Sequence, residues 1–129
     1  MTRIDKSLLP VSKSKSGVSR WQSALKNSLA GLKFGLKSEA AIREEVVVLI
    51  AAIPAALLLE DTGWVRLAMV LSVLFVLIVE VLNSAIEATL DRVSLEHHLL
   101  TKAAKDLGSL AVLLAILLAA SIWLMALFS

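Results

Sequence analysis

Glu80-Val81-Leu82-Asn83-Ser84-Ala85-Ile86-Glu87-Ala88-Thr89-Leu90-Asp91 follows an apolar run, Leu67 to Val79, with no helix breaker between the two. As one helix, the polar side chains at 80, 83, 87 and 91 share a face. At about 100° per residue they fall within roughly an 80° stripe, a ladder about 16 Å tall. A carboxylate in or near a bilayer costs about 2.5–3.5 kcal/mol on insertion scales, and this helix carries several on one side. Charges at helix ends commonly snorkel or form structural ion pairs, and that reading suffices for Asp91 alone. Glu80 and Glu87, with Asn83 between them, require something to pair with.

Apolar segments flank this one on both sides. Val46 to Leu59 is free of charge but short, about 21 Å at 1.5 Å per residue against a hydrocarbon core near 30 Å. It spans only if Ala40–Glu45 continues the helix, with Arg43 and the glutamates reaching for the interface. Pro54 inside it is better tolerated in a membrane helix than in a soluble one. Leu107 to Phe128 is a full-length span. Glu60-Asp61-Thr62-Gly63 reads as a tight turn, Val93–Thr101 as a polar link, and Trp64 and Trp123 as interface anchors. The expected transmembrane helices are thus about 40–59, 64–91 and 103–128.

Ahead of them, Trp21, Leu25, Leu29, Leu32 and Leu36 recur at helical spacing, with Arg20, Lys26, Lys33 and Lys37 toward the opposite side. A basic amphipathic helix over 18–37 carrying a Trp suits the headgroup boundary. Residues 1–17 read as a mobile polar arm. Leu8-Leu9-Pro10 is too short for the apolar part of a signal peptide, so the arm is expected to stay attached. The whole is an all-α membrane protein, a surface helix and three transmembrane helices in one domain, 18–129. Composition agrees: 129 residues are 58% hydrophobic and 19% charged, with a mean hydropathy of +0.84, which excludes a disordered chain. The absence of cysteine excludes disulfide scaffolds and thiolate chemistry, and a net charge of +2 gives no argument for nucleic acid.

Of 13 Lys and Arg, most precede the first span, and Arg92, Lys102 and Lys105 lie near the second link. Positive-inside logic puts the amino terminus and the 88–106 region in the cytoplasm. Glu39, Glu80, Glu87, Asp91, Lys105 and Asp106 then converge at one depth. Carboxylates, an Asn and a Lys at the water boundary are what a magnesium-bound polyphosphate requires. His97-His98 makes a poor metal site, because adjacent residues do not share a helix face. The five glycines form neither GxxxxGK[ST] nor GxGxxG, so a nucleotide site here is not a P-loop.

Glu39-Ala40-Ala41-Ile42-Arg43-Glu44-Glu45, the Glu80–Asp91 stretch with Arg92, and Ala104-Lys105-Asp106-Leu107-Gly108-Ser109 together resemble the bacterial integral-membrane diacylglycerol kinases. The similarity covers about residues 18–125, and the spacing E-x-x-N-x-A-I-E-x-x-x-D is specific. The resemblance implies a homotrimeric helical bundle in the bacterial inner membrane, with active sites between subunits at the cytoplasmic face. It implies ATP-dependent phosphorylation of the primary hydroxyl of diacylglycerol, with Mg2+ as cofactor.

Carried over by position, the resemblance makes Glu80 the general base and Asn83 an orienting residue, with Glu39 and Glu87 holding the metal. Nucleotide contacts fall to Arg20, Asn27, Glu39, Glu87, Glu96, His97, His98, Lys105 and Asp106. Ala41, Ile42, Arg43, Glu44, Glu45, Glu80 and Ser109 line the lipid site. Asn27-Ser28 stands where familiar members have Tyr-Ser, and His97 replaces a Tyr. A related branch phosphorylates undecaprenol and is the alternative; Lys105–Ser109 looks more like the diacylglycerol branch. From other classes, a small proton-coupled exporter would leave Glu39, Glu87 and Lys105 unexplained, and a purely structural membrane subunit would use the polar stripe only to join helices.

Overall fold

The computed structural model describes residues 16–93 and 98–128. Its elements are all helical: α1 Gly17–Ser38, α2 Ala40–Leu59, α3 Gly63–Val93 and α4 Leu99–Phe128. The boundary between two compact units falls after Lys33. In the first unit α1 is amphipathic, and its apolar side chains Trp21, Leu25, Leu29 and Leu32 are all exposed. A helix with an uncovered apolar stripe and a basic opposite side is built to lie on another surface.

In the second unit α3 packs against both α2 and α4. The two long helices run antiparallel: Met69 of α3 meets Trp123 of α4 near one end, and Asp91 meets Lys105 near the other. Small residues bring the helices together. Ala52 and Ala56 of α2, and Gly108, Ala115 and Ala119 of α4, are the buried positions of their helices apart from Ile42. With lipid as the alternative neighbour, association depends on close packing and polar contacts rather than on escape from water. One such contact ties α4 to α3: Trp123 Nε1 donates to the Met69 carbonyl at 3.0 Å. That oxygen also accepts the buried Ser72 hydroxyl at 2.7 Å. The Trp123 indole N–H is therefore directed into the protein, where the sequence suggested an anchor to headgroups.

α3 and α4 are each long and apolar enough to cross a membrane. Most of their surface is uncovered, with Phe75, Ile78, Leu113 and Leu117 among the exposed side chains. Apolar surface of that extent calls for lipid, and the chain is membrane-associated. α2 continues unbroken from Ala40 through Pro54 to Leu59, about 30 Å at 1.5 Å per residue.

The start of the last helix differs from expectation, for a local reason. α4 starts at Leu99, four residues before the expected 103, because His98 caps it: its Nδ1 accepts the Leu100 N–H at 3.2 Å and its carbonyl accepts that of Lys102 at 3.0 Å. Lys102 is consequently helical, along with Lys105 and Asp106. The α2–α3 turn is held by the Glu60 carboxylate, which accepts N–H groups from Thr62 at 2.8 Å and Asp61 at 3.0 Å. These bonds, that of Thr62 foremost, hold the Glu60 carboxyl below the usual carboxylate range.

Candidate active site

The buried side of α3 is one continuous stripe: Met69, Ser72, Val73, Val76, Glu80 and Asn83. The spacing of threes and fours keeps these residues on one face. Its first two turns are largely apolar, and it becomes polar at Glu80. Glu80 is 9% exposed and Asn83 is 8% exposed, so both belong to the packed interior. One turn on, Asn83 Nδ2 donates to Glu87 Oε1 at 3.3 Å. An ionised carboxylate only accepts, so this bond fixes the orientation of the Asn83 amide. The other end, Asn83 Oδ1, is buried with no hydrogen-bond partner among the described residues. It faces the backbone of Gly108 on α4, where a Cβ would fall on top of it and 3.1 Å from Cγ.

α2 brings acidic residues to the same place. Glu39 sits at its N-cap with extended backbone (φ −111, ψ 114), and its side chain makes no capping bond. Glu39, Glu45 and Glu87 all lie near enough to act electrostatically on Glu80. On the α4 side, Lys105 Nζ is paired with Asp91 Oδ1 at 2.7 Å and also feels the charge of Glu87. Acidic side chains from α2 and α3 thus lie within electrostatic reach of Glu80, and an ammonium group stands at the Glu87–Asp91 end. Among the described residues no three carboxylates or histidines stand close enough to form a metal cage by themselves.

The remaining sequence candidates are placed differently. Arg43 extends back to the end of α1, donating to the carbonyls of Leu36 and Lys37, each at 3.3 Å. Ile42 is buried and packs on Gly35, with its Cδ1 2.9 Å from where a Cβ would stand. Ala41 is half-buried, Glu44 and Ser109 exposed. Asp106 is taken up by Lys102, one turn earlier on the same helix, at 2.6 Å. Arg20 and Asn27 are exposed on α1 in the first unit. His98 is the α4 cap, while Glu96 and His97 lie outside the described residues. Asp91, one of the charges expected at this depth, holds Lys105, and one residue absent from the sequence-derived site joins it: Gly108, which receives Asn83. A lone Gly inside an apolar helix costs about 1 kcal/mol against Ala and was the available signal for Gly108.

Between α2, α3 and α4 lies an apolar groove of about 550 Å³ lined by Val48, Ala52, Val76, Ala119 and Trp123 among others, with Glu45 its charged residue. A groove of that size beside a carboxylate cluster can take a chain-like apolar group and present its polar end to the charges.

Comparison with known proteins decides among the chemistries this arrangement allows. Residues 26–127 match the family model described as Prokaryotic diacylglycerol kinase. The chain belongs to the prokaryotic diacylglycerol kinase family. A diacylglycerol kinase of Pseudomonas aeruginosa is 45% identical over 111 residues, 86% of this chain and 90% of that protein. The diacylglycerol kinase of Escherichia coli K12 is 42% identical over 114 residues, covering 88% and 93%. That of Haemophilus influenzae is 37% identical over 108 residues, covering 84% and 92%. The prokaryotic diacylglycerol kinases are lipid kinases, and this chain is an enzyme of that family, with apolar helices suited to a membrane.

Proposed function

We propose that the protein transfers the γ-phosphoryl group of ATP to the primary hydroxyl of 1,2-diacylglycerol, giving phosphatidic acid and ADP. The observation that carries this reading is the buried Glu80 with Glu39, Glu45 and Glu87 within electrostatic reach of it, and Lys105 held by Asp91 within reach of Glu87. Such a concentration of negative charge is stabilised by a cation and serves a reaction that consumes a proton acceptor.

Glu80, ionised, accepts a hydrogen bond from the lipid hydroxyl and takes its proton as the new O–P bond forms. The bond between the γ-phosphorus and the β–γ bridging oxygen breaks, and ADP carries away that electron pair. Lys105, at the boundary end of α4, offsets phosphate charge. Asn83 holds the Glu87 carboxylate in one orientation through its amide N–H. Glu39 and Glu87 are the residues that would hold Mg2+. Hard carboxylate oxygens suit that ion, and it is commonly bound by one or two carboxylates plus substrate phosphates rather than by an all-protein cage, in keeping with the open arrangement here. When bound, Mg2+ neutralises charge developing on the phosphoryl oxygens. The groove ending at Glu45 takes an acyl chain, so that the lipid arrives sideways from the bilayer.

In this reading α2, α3 and α4 all cross the bacterial inner membrane, the amino terminus is cytoplasmic, α1 lies on the inner surface, and three chains assemble into a homotrimer. The test is a detergent-micelle assay with γ-labelled ATP offering diacylglycerol and undecaprenol in parallel. Label in phosphatidic acid is the expected result. Label in undecaprenyl phosphate alone would reassign the acceptor, and no labelled lipid from folded protein would refute the proposal.

A further inference from the structure

Gly108 is the point at which α4 comes closest to the polar half of the α3 stripe. A side chain there would collide with Asn83 at its Oδ1 and Cγ, and those atoms cannot simply retreat. Asn83 is 8% exposed, and its Nδ2 is committed to Glu87 at 3.3 Å. Turning the amide over would point its oxygen at an acceptor-only carboxylate, which is repulsive. The contrast with Gly35 is instructive. There the nearest atom to an added Cβ is the terminal Cδ1 of Ile42, at 2.9 Å, the far end of a flexible side chain that can rotate aside. At Gly108 the obstructing atoms lie close to the α3 backbone on a side chain bonded at its other end.

Among the described residues, the Asn83 oxygen is also a buried polar atom without a hydrogen-bond partner. Leaving a buried acceptor unpaired carries its full desolvation penalty. The arrangement therefore persists because the rest of the site requires it. What it accomplishes is to leave the amide one usable orientation, N–H toward Glu87.

We propose that Gly108 is a positioning residue for the phosphoryl-transfer site: its bare backbone seats the Asn83 amide, and through Asn83 it fixes the Glu87 carboxylate that receives the divalent cation. This rests on the reading of Glu87 as a metal-holding residue. A group that orients a metal-binding carboxylate without touching the metal commonly governs affinity by about 10–100-fold.

The experiment is a double-substitution cycle on the full chain in micelles, read by Mn2+ binding through electron paramagnetic resonance in the presence of a non-hydrolysable ATP analogue. Wild type binds the ion, and Gly108→Ala raises its dissociation constant about tenfold or more. Ala115→Val, which overpacks the same α3–α4 interface away from Asn83, leaves Mn2+ affinity within about twofold of wild type. In an Asn83→Ser background, where the shorter side chain leaves room, Gly108→Ala has no further effect. Wild-type affinity in Gly108→Ala, an equal loss in Ala115→Val, or additive losses at 83 and 108 would each overturn the proposal. Failure of wild type itself to bind Mn2+ with the analogue would remove the metal-site reading beneath it. If Gly108→Ala does not fold, restored folding on adding Asn83→Ser supports the collision, and persistent failure overturns it.

Discussion

Replacing Glu80 by Gln should make the protein more stable and less active together. Glu80 is 9% exposed, no cation pairs with it among the described residues, and the charges acting on it come from Glu45, Glu87 and Glu39, all negative. A carboxylate at the bilayer centre costs about 2.5–3.5 kcal/mol, and less toward the boundary. Glutamine keeps the shape and removes the charge, so the expected gain is roughly 1–2 kcal/mol. Loss of the base should lower turnover by about 10²- to 10⁴-fold. Unfolding in mixed micelles and initial rates on the same preparations measure both. A destabilised Glu80→Gln variant, or one keeping more than about a tenth of wild-type turnover, would refute the argument that this position is held in an unfavourable state for catalysis.

Other consequences are smaller. Asp91→Asn removes the partner of Lys105, but the two side chains are 58% and 39% exposed. Stability should therefore change by less than about 1 kcal/mol, while KM for ATP rises by about threefold as Lys105 loses its anchor. Lys105→Met should raise that KM by more than Asp91→Asn does. Trp123→Phe deletes the α4-to-α3 hydrogen bond but leaves the Met69 oxygen paired with Ser72. A loss of about 0.6 kcal/mol follows, and a loss above about 2 kcal/mol would show that the bond is undervalued. Because its folded carboxyl is held low, Glu60 supports the α2–α3 turn fully above the ordinary carboxylate range and ceases to as pH falls through the lowered value. Nuclear magnetic resonance titration should place its midpoint below that range, and Glu60→Gln should remove this acid-dependent component of stability.

The helical architecture was legible because hydrophobic periodicity needs no knowledge of partners. Leu67–Val79 running into Glu80–Asp91 without a breaker implied one long helix, and the three-and-four spacing put Glu80, Asn83 and Glu87 on a common face. The start of α4 was hidden, since it depends on the His98 ring folding back onto the Leu100 N–H. Arg43 was equally opaque: its place ahead of an apolar run suggests a side chain reaching for the interface, while its guanidinium is directed to the last carbonyls of α1. Gly108 and Asn83 are 25 positions apart, and only the helix packing brings them together. The meeting of Glu39 and Glu45 with Glu80 was accessible by a topological argument, which fixes depth but not orientation around the helix axis.

Equilibrium binding of radiolabelled ATP with Mg2+ to wild type, Glu80→Gln and Glu87→Gln tests most directly whether separate carboxylates divide the tasks of holding the donor and taking the proton. The account predicts wild-type ATP affinity in Glu80→Gln despite its lost turnover, and affinity weakened about tenfold or more in Glu87→Gln. ATP binding lost with Glu80, or unchanged without Glu87, would contradict it.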